Sequence, residues 1–146
     1  MQQISGLSQS IALALSENGP ALTILLHHWP KLIAVYAFGS QVTGGADANS
    51  DLDLAILIPG LADPLQLWEV AAQLEASLSL PVDLLDFRAA STVLQARILR
   101  DGVCLMASQP DTGIYESFVL SEKMAFDVSR AGLINDIVKT GQVYGR

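Results

Sequence analysis

The feature that most constrains this chain is a pair of aspartates, Asp51 and Asp53, at the beginning of an apolar strand. Residues 51–59 read DLDLAILIP. Because side chains alternate across a strand, the two carboxylates point to one face and Leu52 and Leu54 to the other. At about 6.5 to 7 Å, the carboxylates repel each other by roughly 2 to 3 kcal/mol at an effective dielectric near 20. A divalent cation bound between the carboxylates would turn this repulsion into a net attraction, so the pair predicts a metal site.

A Gly-Ser pair ends a second apolar strand, which the segment LIAVYAF predicts for residues 32–38. Gly39 permits the close approach of a phosphate to the backbone, and Ser40 adds a hydroxyl donor. The segment TGGADANS at 43–50 consists of turn formers and small residues, and it predicts a loop. Such a loop lets both strand ends converge on one ligand, so we expect metal ions and nucleotide phosphates here.

Strands and helices alternate along the rest of the chain, which predicts an α/β (α+β) fold with a mixed sheet of about four strands flanked by helices. We expect a single domain over 1–146, with N-terminal helices at 1–30, a catalytic core at 31–106 and a C-terminal helical segment at 114–140. Within the core, helical spacing predicts that Trp68 is buried. The further predicted strands are 81–87 and 103–106, and the further predicted helices are 20–28, 63–80 and 91–102.

The strand at 81–87 carries two more aspartates, Asp83 and Asp86, in the segment PVDLLDF. Asp83 is close to the start of that strand and could supply a third carboxylate to the same pocket. Asp86 differs from it in strand parity, so only one of the two can face the pocket in a regular strand. The residues alone leave this choice open.

Composition excludes several classes of partner and site. The formal net charge is −7, with 15 acidic and 8 basic residues, and no basic cluster offsets it, so direct binding of nucleic acid is not expected. Cys104 is the only cysteine, which excludes an internal disulfide and fits a reducing cytoplasm. No secretory signal and no membrane span is predicted, and we expect a cytoplasmic protein.

Gly39-Ser40, ten intervening residues and Asp51-Leu52-Asp53 together resemble the GS-x10-DxD signature of the nucleotidyltransferase (DNA polymerase β-like) superfamily. The small size, the PVDLLDF strand and the following LQARILRDGVCLM make the chain similar to the minimal nucleotidyltransferase (MNT) antitoxins of HEPN/MNT toxin-antitoxin modules. The resemblance covers roughly residues 33–106.

This resemblance implies a set of roles. Asp51, Asp53 and Asp83 match the three catalytic, metal-binding carboxylates, which selects Asp83 over Asp86, and Gly39 and Ser40 match the nucleotide-binding pair. The cofactors implied are two Mg²⁺ ions, with Mn²⁺ as a substitute, and ATP is the substrate. The activity implied is transfer of AMP to a tyrosine of a cognate HEPN RNase toxin, which is the expected partner.

The chain departs from the family pattern just after Gly-Ser. Many relatives carry an arginine there, whereas this chain has Gln41, Val42 and Thr43. Neutralisation of the triphosphate then depends on metal and on more distant basic residues. The candidates are Lys31, Arg88, Arg97 and Arg100.

Other interpretations stay open at this point. The chain could be a non-catalytic antitoxin that masks its toxin by binding, or a small-molecule nucleotidyltransferase of the aminoglycoside type. The amphipathic segment at 114–138 could serve as core or as a docking surface for the toxin. His27 and His28 are expected to be helix-end or surface residues rather than zinc ligands, and Tyr115 and Tyr144 are candidates for accessible tyrosines.

Overall fold

In the described part of the chain, four strands form one mixed sheet, as the sequence predicts. A computed structural model describes residues 9–43 and 51–140. Strand β1 pairs antiparallel with β2 and with β4, while β2 pairs parallel with β3, so the order across the sheet is β3-β2-β1-β4. The strands are β1 (Ala34–Phe38), β2 (Leu52–Leu57), β3 (Val82–Asp86) and β4 (Val103–Ala107).

Helices begin where local sequence supplies start signals. The Asp63 carboxylate accepts a hydrogen bond from the Leu65 amide, and the Ser91 hydroxyl accepts one from the Leu94 amide, which caps two of the helices. A 3-10 turn, Phe87–Ala89, follows β3. The helices are α1 (Gln9–Ala14), α2 (Pro20–His28), α3 (Ser40–Thr43), α4 (Pro64–Leu78), α5 (Thr92–Asp101) and α6 (Asp111–Thr140).

Helices cover both faces of the sheet. On one face, Leu54 and Ile56 of β2 join buried residues of α2 and α4. On the other, Ala55 and Leu57 join Phe87, Ile98 of α5 and Val119 of α6. The face that carries the aspartates is therefore apolar and buried further along β2, and its acidic character is confined to the beginning of the strand.

The expectation that Trp68 is buried is wrong, because its side chain is 72% exposed. Helix α4 instead buries Val70 and Leu74, with Leu67 partly buried against the same core. The stripe of side chains through Trp68 and this buried stripe lie on different sides of α4. Both stripes have helical spacing. The sequence pattern could not distinguish them because alanine and leucine occur all around this helix.

The C-terminal segment is one continuous helix that begins at Asp111, three residues before the predicted start. Among its described side chains, Thr112 and Val119 are buried, whereas Leu120, Met124 and Val128 are exposed. Its first turns therefore contribute to the core, whereas the side chains of Leu120, Met124 and Val128 in the following turns do not. No helix in the described part of the chain is both long and apolar enough to span a membrane.

Some predictions fall on other parts of the chain. Apart from Thr43, which ends α3, the predicted loop at 43–50 lies outside the described residues, as does Tyr144. His28 is at the end of α2, where its Nε2 atom lies 2.8 Å from the side-chain oxygen of Gln73, as expected for a helix-end histidine.

Candidate active site

The three predicted carboxylates lie where β2 and β3 begin, next to the Gly-Ser pair at the end of β1. Strand register pairs Phe38 of β1 with Asp53 of β2, and Asp53 with Asp83 of β3. Asp51 directly precedes β2. Directly paired residues point to the same face of a sheet, so the Asp53 and Asp83 side chains lie side by side. The long β2–β3 connection, which includes α4, therefore returns a distant part of the sequence to this point.

Gly39 has a backbone conformation and a neighbour that both require glycine. Its φ of +81° lies in the left-handed region. A Cβ atom built on Gly39 would overlap the Oδ2 atom of Asp53. The Asp53 carboxylate thus lies directly over the Gly39 backbone, and any methyl group here would displace it. Ser40, half-buried, begins α3 immediately afterwards, and the Val42 amide donates to the Gly39 carbonyl at 3.1 Å.

The electrostatics of the three carboxylates are unfavourable in the absence of a cation. Asp53 is half-buried, while Asp51 and Asp83 are exposed. Burial raises the pKa of Asp53, and the negative charges of Asp83 and then Asp51 raise the same pKa further. Both neighbours are therefore close enough to Asp53 to oppose its ionisation. A divalent cation between them would remove this repulsion.

The donor set fits magnesium in its chemistry, since carboxylate oxygens are the ligands that Mg²⁺ and Mn²⁺ prefer. Within residues 9–43 and 51–140, no three potential ligands are already gathered around one point as a finished metal site. Asp51 and Asp83 are exposed, so their side chains have room to rotate toward Asp53. The arrangement is a carboxylate cluster that a metal would complete.

Asp86 has a different environment from Asp83 and serves a structural purpose. It is only 5% exposed, and its two oxygens accept hydrogen bonds from the Ala62 amide at 2.8 Å and from the Arg88 amide at 3.0 Å. These contacts hold the loop before α4 and the turn after β3 against each other. The strand-parity argument is consistent with this separation of the two aspartates.

Two of the predicted phosphate-binding cations have other partners. The Arg88 guanidinium donates to the Ile58 carbonyl at 3.2 Å and lies 4.5 Å from the centre of the Tyr115 ring. Arg100 forms an ion pair with Asp101. Lys31 and Arg97 are exposed, and Arg97 is near enough to Asp101 to lower the pKa of that carboxyl, after the larger effect of Arg100. None of these contacts directs a cation to Gly39.

Sequence reasoning missed one feature beside the carboxylates. An open groove of about 420 Å³ runs between α4 and β3, and Trp68 and Asp83 both line it. The sequence feature that could have indicated the groove is the apolar stripe of α4 through Trp68, which was interpreted as part of the core.

Comparisons with known proteins agree with this geometry. The family model described as "Polymerase beta, Nucleotidyltransferase" matches residues 21–111. The chain is 34% identical over 124 residues to the protein adenylyltransferase MntA of Shewanella oneidensis, a match that covers 85% of this chain and 88% of that protein.

Solved structures of toxin-antitoxin complexes have the same fold. A crystal structure of a toxin-antitoxin with AMP-PNP contains a chain that is 33% identical, with a TM-score of 0.71, over 80% of this chain and 94% of that one. A structure of the tri-AMPylated Shewanella oneidensis HEPN toxin in complex with MNT antitoxin contains a chain that is 31% identical, with a TM-score of 0.65, over 80% and 92%. The predicted fold and the predicted resemblance are confirmed. This chain belongs to the polymerase beta nucleotidyltransferase family.

Proposed function

We propose that this chain is an antitoxin that acts as a protein adenylyltransferase, transferring AMP from ATP to a tyrosine of a cognate HEPN toxin. The observation that carries the proposal is that Gly39, Asp53 and Asp83 lie next to one another at the ends of neighbouring strands. The chain that carries them is 34% identical to a protein adenylyltransferase. The related structures that contain AMP-PNP and a tri-AMPylated HEPN toxin support both the nucleotide and the partner.

The residue roles follow from position. Gly39 and Ser40 bind the phosphates, and Asp51, Asp53 and Asp83 hold Mg²⁺, with Mn²⁺ as a substitute. When bound, two such ions would neutralise the triphosphate and lower the pKa of the attacking hydroxyl. Because the carboxylate of Asp53 lies over the backbone of Gly39, the phosphate-binding and metal-binding groups are adjacent. This adjacency supports the proposal that the α-phosphate binds beside Asp53.

The transfer conserves every atom of the two substrates. The acceptor oxygen forms a bond to the α-phosphorus, the bond from that phosphorus to the bridging oxygen breaks, and pyrophosphate leaves with the electron pair. Asp83, exposed at the side of the cluster, is the residue positioned to take the hydroxyl proton. Most of the acceleration then comes from positioning and charge neutralisation.

We also propose that the chain is one domain that works in the cytoplasm, where ATP and Mg²⁺ are available.

The direct experiment uses purified protein, ATP, Mg²⁺ and a purified HEPN toxin as the acceptor. We expect intact-mass spectrometry to show one or more AMP units added to the toxin and none added by an Asp53→Ala variant. Equal modification by wild type and variant would overturn the proposal.

A second candidate is a non-catalytic antitoxin that masks the toxin by binding. The observation that favours it is the absence, among the described residues, of three ligands already gathered for a metal. The two functions differ in stoichiometry: an enzyme neutralises toxin at a low molar ratio, whereas a masking protein needs at least one copy per toxin. Titration of the toxin's RNase activity with wild type and Asp53→Ala distinguishes them.

A further inference from the structure

The groove between α4 and β3, hereafter the Trp68 groove, is continuous with the candidate active site through Asp83. Pro64, Trp68, Ala72 and Glu75 line its helical side at intervals of three and four residues, so they form one exposed stripe of α4. Leu67 and Ala71 also line the groove, and both are partly buried against the core. The exposed stripe is therefore the part of this wall that a ligand can cover.

The opposite wall is the free edge of the sheet. Val82, Asp83 and Leu84 are consecutive residues of β3, and all three line the groove. Neighbouring side chains in a strand point to opposite faces, so a groove that touches all three must reach the strand edge. In the order β3-β2-β1-β4, the strand β3 is an outer strand. A polypeptide segment in the groove would lie along this edge and pass directly beside Asp83.

The largest apolar side chain of the groove is also an exposed one. Trp68 is 72% exposed, whereas Val82 and Leu84 on the opposite wall are buried. Leu65, three residues before Trp68 on α4, is 60% exposed and extends the exposed apolar surface outside the groove. An exposed tryptophan of this kind is typical of a protein interface, where tryptophan is enriched among the residues that contribute most to binding.

The charges of the groove separate it from the nucleotide side. Among the residues that the structure describes, the charged ones that line the groove are Glu75 and Asp83, both acidic, and none is a lysine or arginine. A triphosphate would be repelled there. Gly39 follows β1, and Asp53 of β2 lies between it and Asp83 of β3. At about 4.8 Å per strand, Gly39 and Asp83 are roughly 10 Å apart across the sheet.

We propose that the Trp68 groove receives the segment of the partner protein that carries the acceptor hydroxyl, with an apolar side chain of that segment packed on Trp68. This inference rests on the proposed function and assigns the two substrates to opposite sides of Asp53. The nucleotide binds on the Gly39 side, and the protein acceptor enters on the Asp83 side. Trp68 then determines partner affinity without contacting ATP.

The experiment compares matched variants of the full chain, with the HEPN toxin that wild type modifies as the acceptor. Ala72→Arg fills the groove, whereas Ala76→Arg places the same side chain on the same exposed helix one turn away, outside the groove. Trp68→Ala removes the proposed anchor, and Val93→Ser changes an exposed apolar residue on α5 as a further control. Circular dichroism confirms that each variant is folded.

We expect Trp68→Ala and Ala72→Arg to raise the KM for the acceptor protein, and its Kd, by about tenfold or more, as for other interface anchors. The KM for ATP should stay within about twofold, because its binding groups are untouched. Ala76→Arg and Val93→Ser should behave as wild type. The Trp29→Phe variant leaves Trp68 as the only tryptophan. The fluorescence emission of Trp68 should not change when AMP-PNP and Mg²⁺ are added to this variant.

Two results would overturn the inference while leaving the proposed function intact. Undiminished acceptor affinity in both groove variants would place the partner elsewhere, such as the exposed side of α6. Quenching of Trp68 by AMP-PNP, with a raised KM for ATP in Trp68→Ala, would place the nucleotide base in the groove. Conversely, if the groove variants weaken acceptor binding but wild type transfers no AMP, the docking surface stands and the catalytic function fails.

Discussion

The two ends of strand β3 carry the same residue type in opposite environments. Near its beginning, Asp83 is exposed and faces Asp53, whose ionisation it opposes. At its end, Asp86 is buried, and each of its oxygens accepts a backbone hydrogen bond. The protein itself supplies hydrogen-bond donors to one carboxylate, whereas the other adds to the negative charge around Asp53.

Two aspartates only three residues apart therefore have different roles, Asp86 in the fold and Asp83 in the candidate active site. A buried carboxylate with its donors in place stabilises the fold and has little capacity left for a ligand. Carboxylates that raise one another's pKa are unfavourable unless a cation joins them, and such groups concentrate at functional sites. The comparison can be tested by changing each end separately.

The largest effect is expected from Asp53→Ala. Because Asp53 lies between Gly39 and Asp83, its loss removes the group shared by the metal and phosphate sides. We expect AMP transfer to fall on the order of 100-fold to 1,000-fold, the range seen when one charge-stabilising group is removed. Single-turnover transfer followed with labelled ATP measures this. A fall of less than about tenfold would contradict the role given to Asp53.

The next effect comes from Gly39→Ala, with Gly60→Ala as its control. Both glycines have positive φ, +81° and +78°, but a Cβ at Gly39 overlaps the Asp53 carboxylate, whereas one at Gly60 meets nothing within 4 Å. We expect each variant to lose about 1 to 2 kcal/mol of unfolding free energy from the left-handed conformation. Only Gly39→Ala should also lose AMP transfer. Equal transfer by both variants would show that the position of Asp53 is unimportant.

At the other end of β3, Asp86→Ala should affect stability and leave the chemistry intact. It leaves the Ala62 and Arg88 amides without their acceptor, which costs about 2 to 3 kcal/mol of unfolding free energy. Urea denaturation measures the loss, and transfer per folded molecule should match wild type. Loss of transfer at full stability would mean that Asp86, not only Asp83, belongs to the site.

The smallest effect is a pH-dependent one in Asp53→Asn. The pKa of Asp53 is raised in the folded state, so the stability contributed by its protonated form is present below the unfolded pKa of about 3.9 and is lost as pH rises through the folded pKa. Without divalent metal at pH 7, the asparagine variant should therefore denature at higher urea than wild type. The difference should disappear as pH falls toward about 4.

Added Mg²⁺ should reverse this order, because it stabilises the wild-type carboxylates more than the amide. If wild type and Asp53→Asn have the same stability at pH 7 with and without Mg²⁺, the carboxylates at 51, 53 and 83 do not form one electrostatic unit.

The sequence predicts the sheet well because its signals are local. Apolar runs bounded by turn formers mark all four strands to within about two residues, a normal precision for such boundaries. The convergence of Asp53 with Asp83 was not derivable from residues alone, since it depends on the β2–β3 pairing across α4. Family resemblance supplied it. The contact of Asp53 with Gly39 requires coordinates, because spacing does not determine side-chain direction at a strand end.

The error at Trp68 has a physical cause as well. Helical periodicity identifies an apolar stripe, but it does not tell whether the protein's own sheet or another molecule covers that stripe. On α4, two stripes compete, and the sheet takes the one through Val70 and Leu74. The same ambiguity applies to Leu120, Met124 and Val128 on α6, which are exposed.

Helix α6 has 30 residues, which makes it about 45 Å long at 1.5 Å per residue. Among the described side chains, Val119 is the last one buried on this helix, and those of Leu120, Met124 and Val128 are exposed. Isolated helices are only marginally stable in water, so the turns from Leu120 to Val128 depend on a helix that the buried first turns initiate. A proline at Leu120 would therefore destabilise these turns and leave the sheet intact.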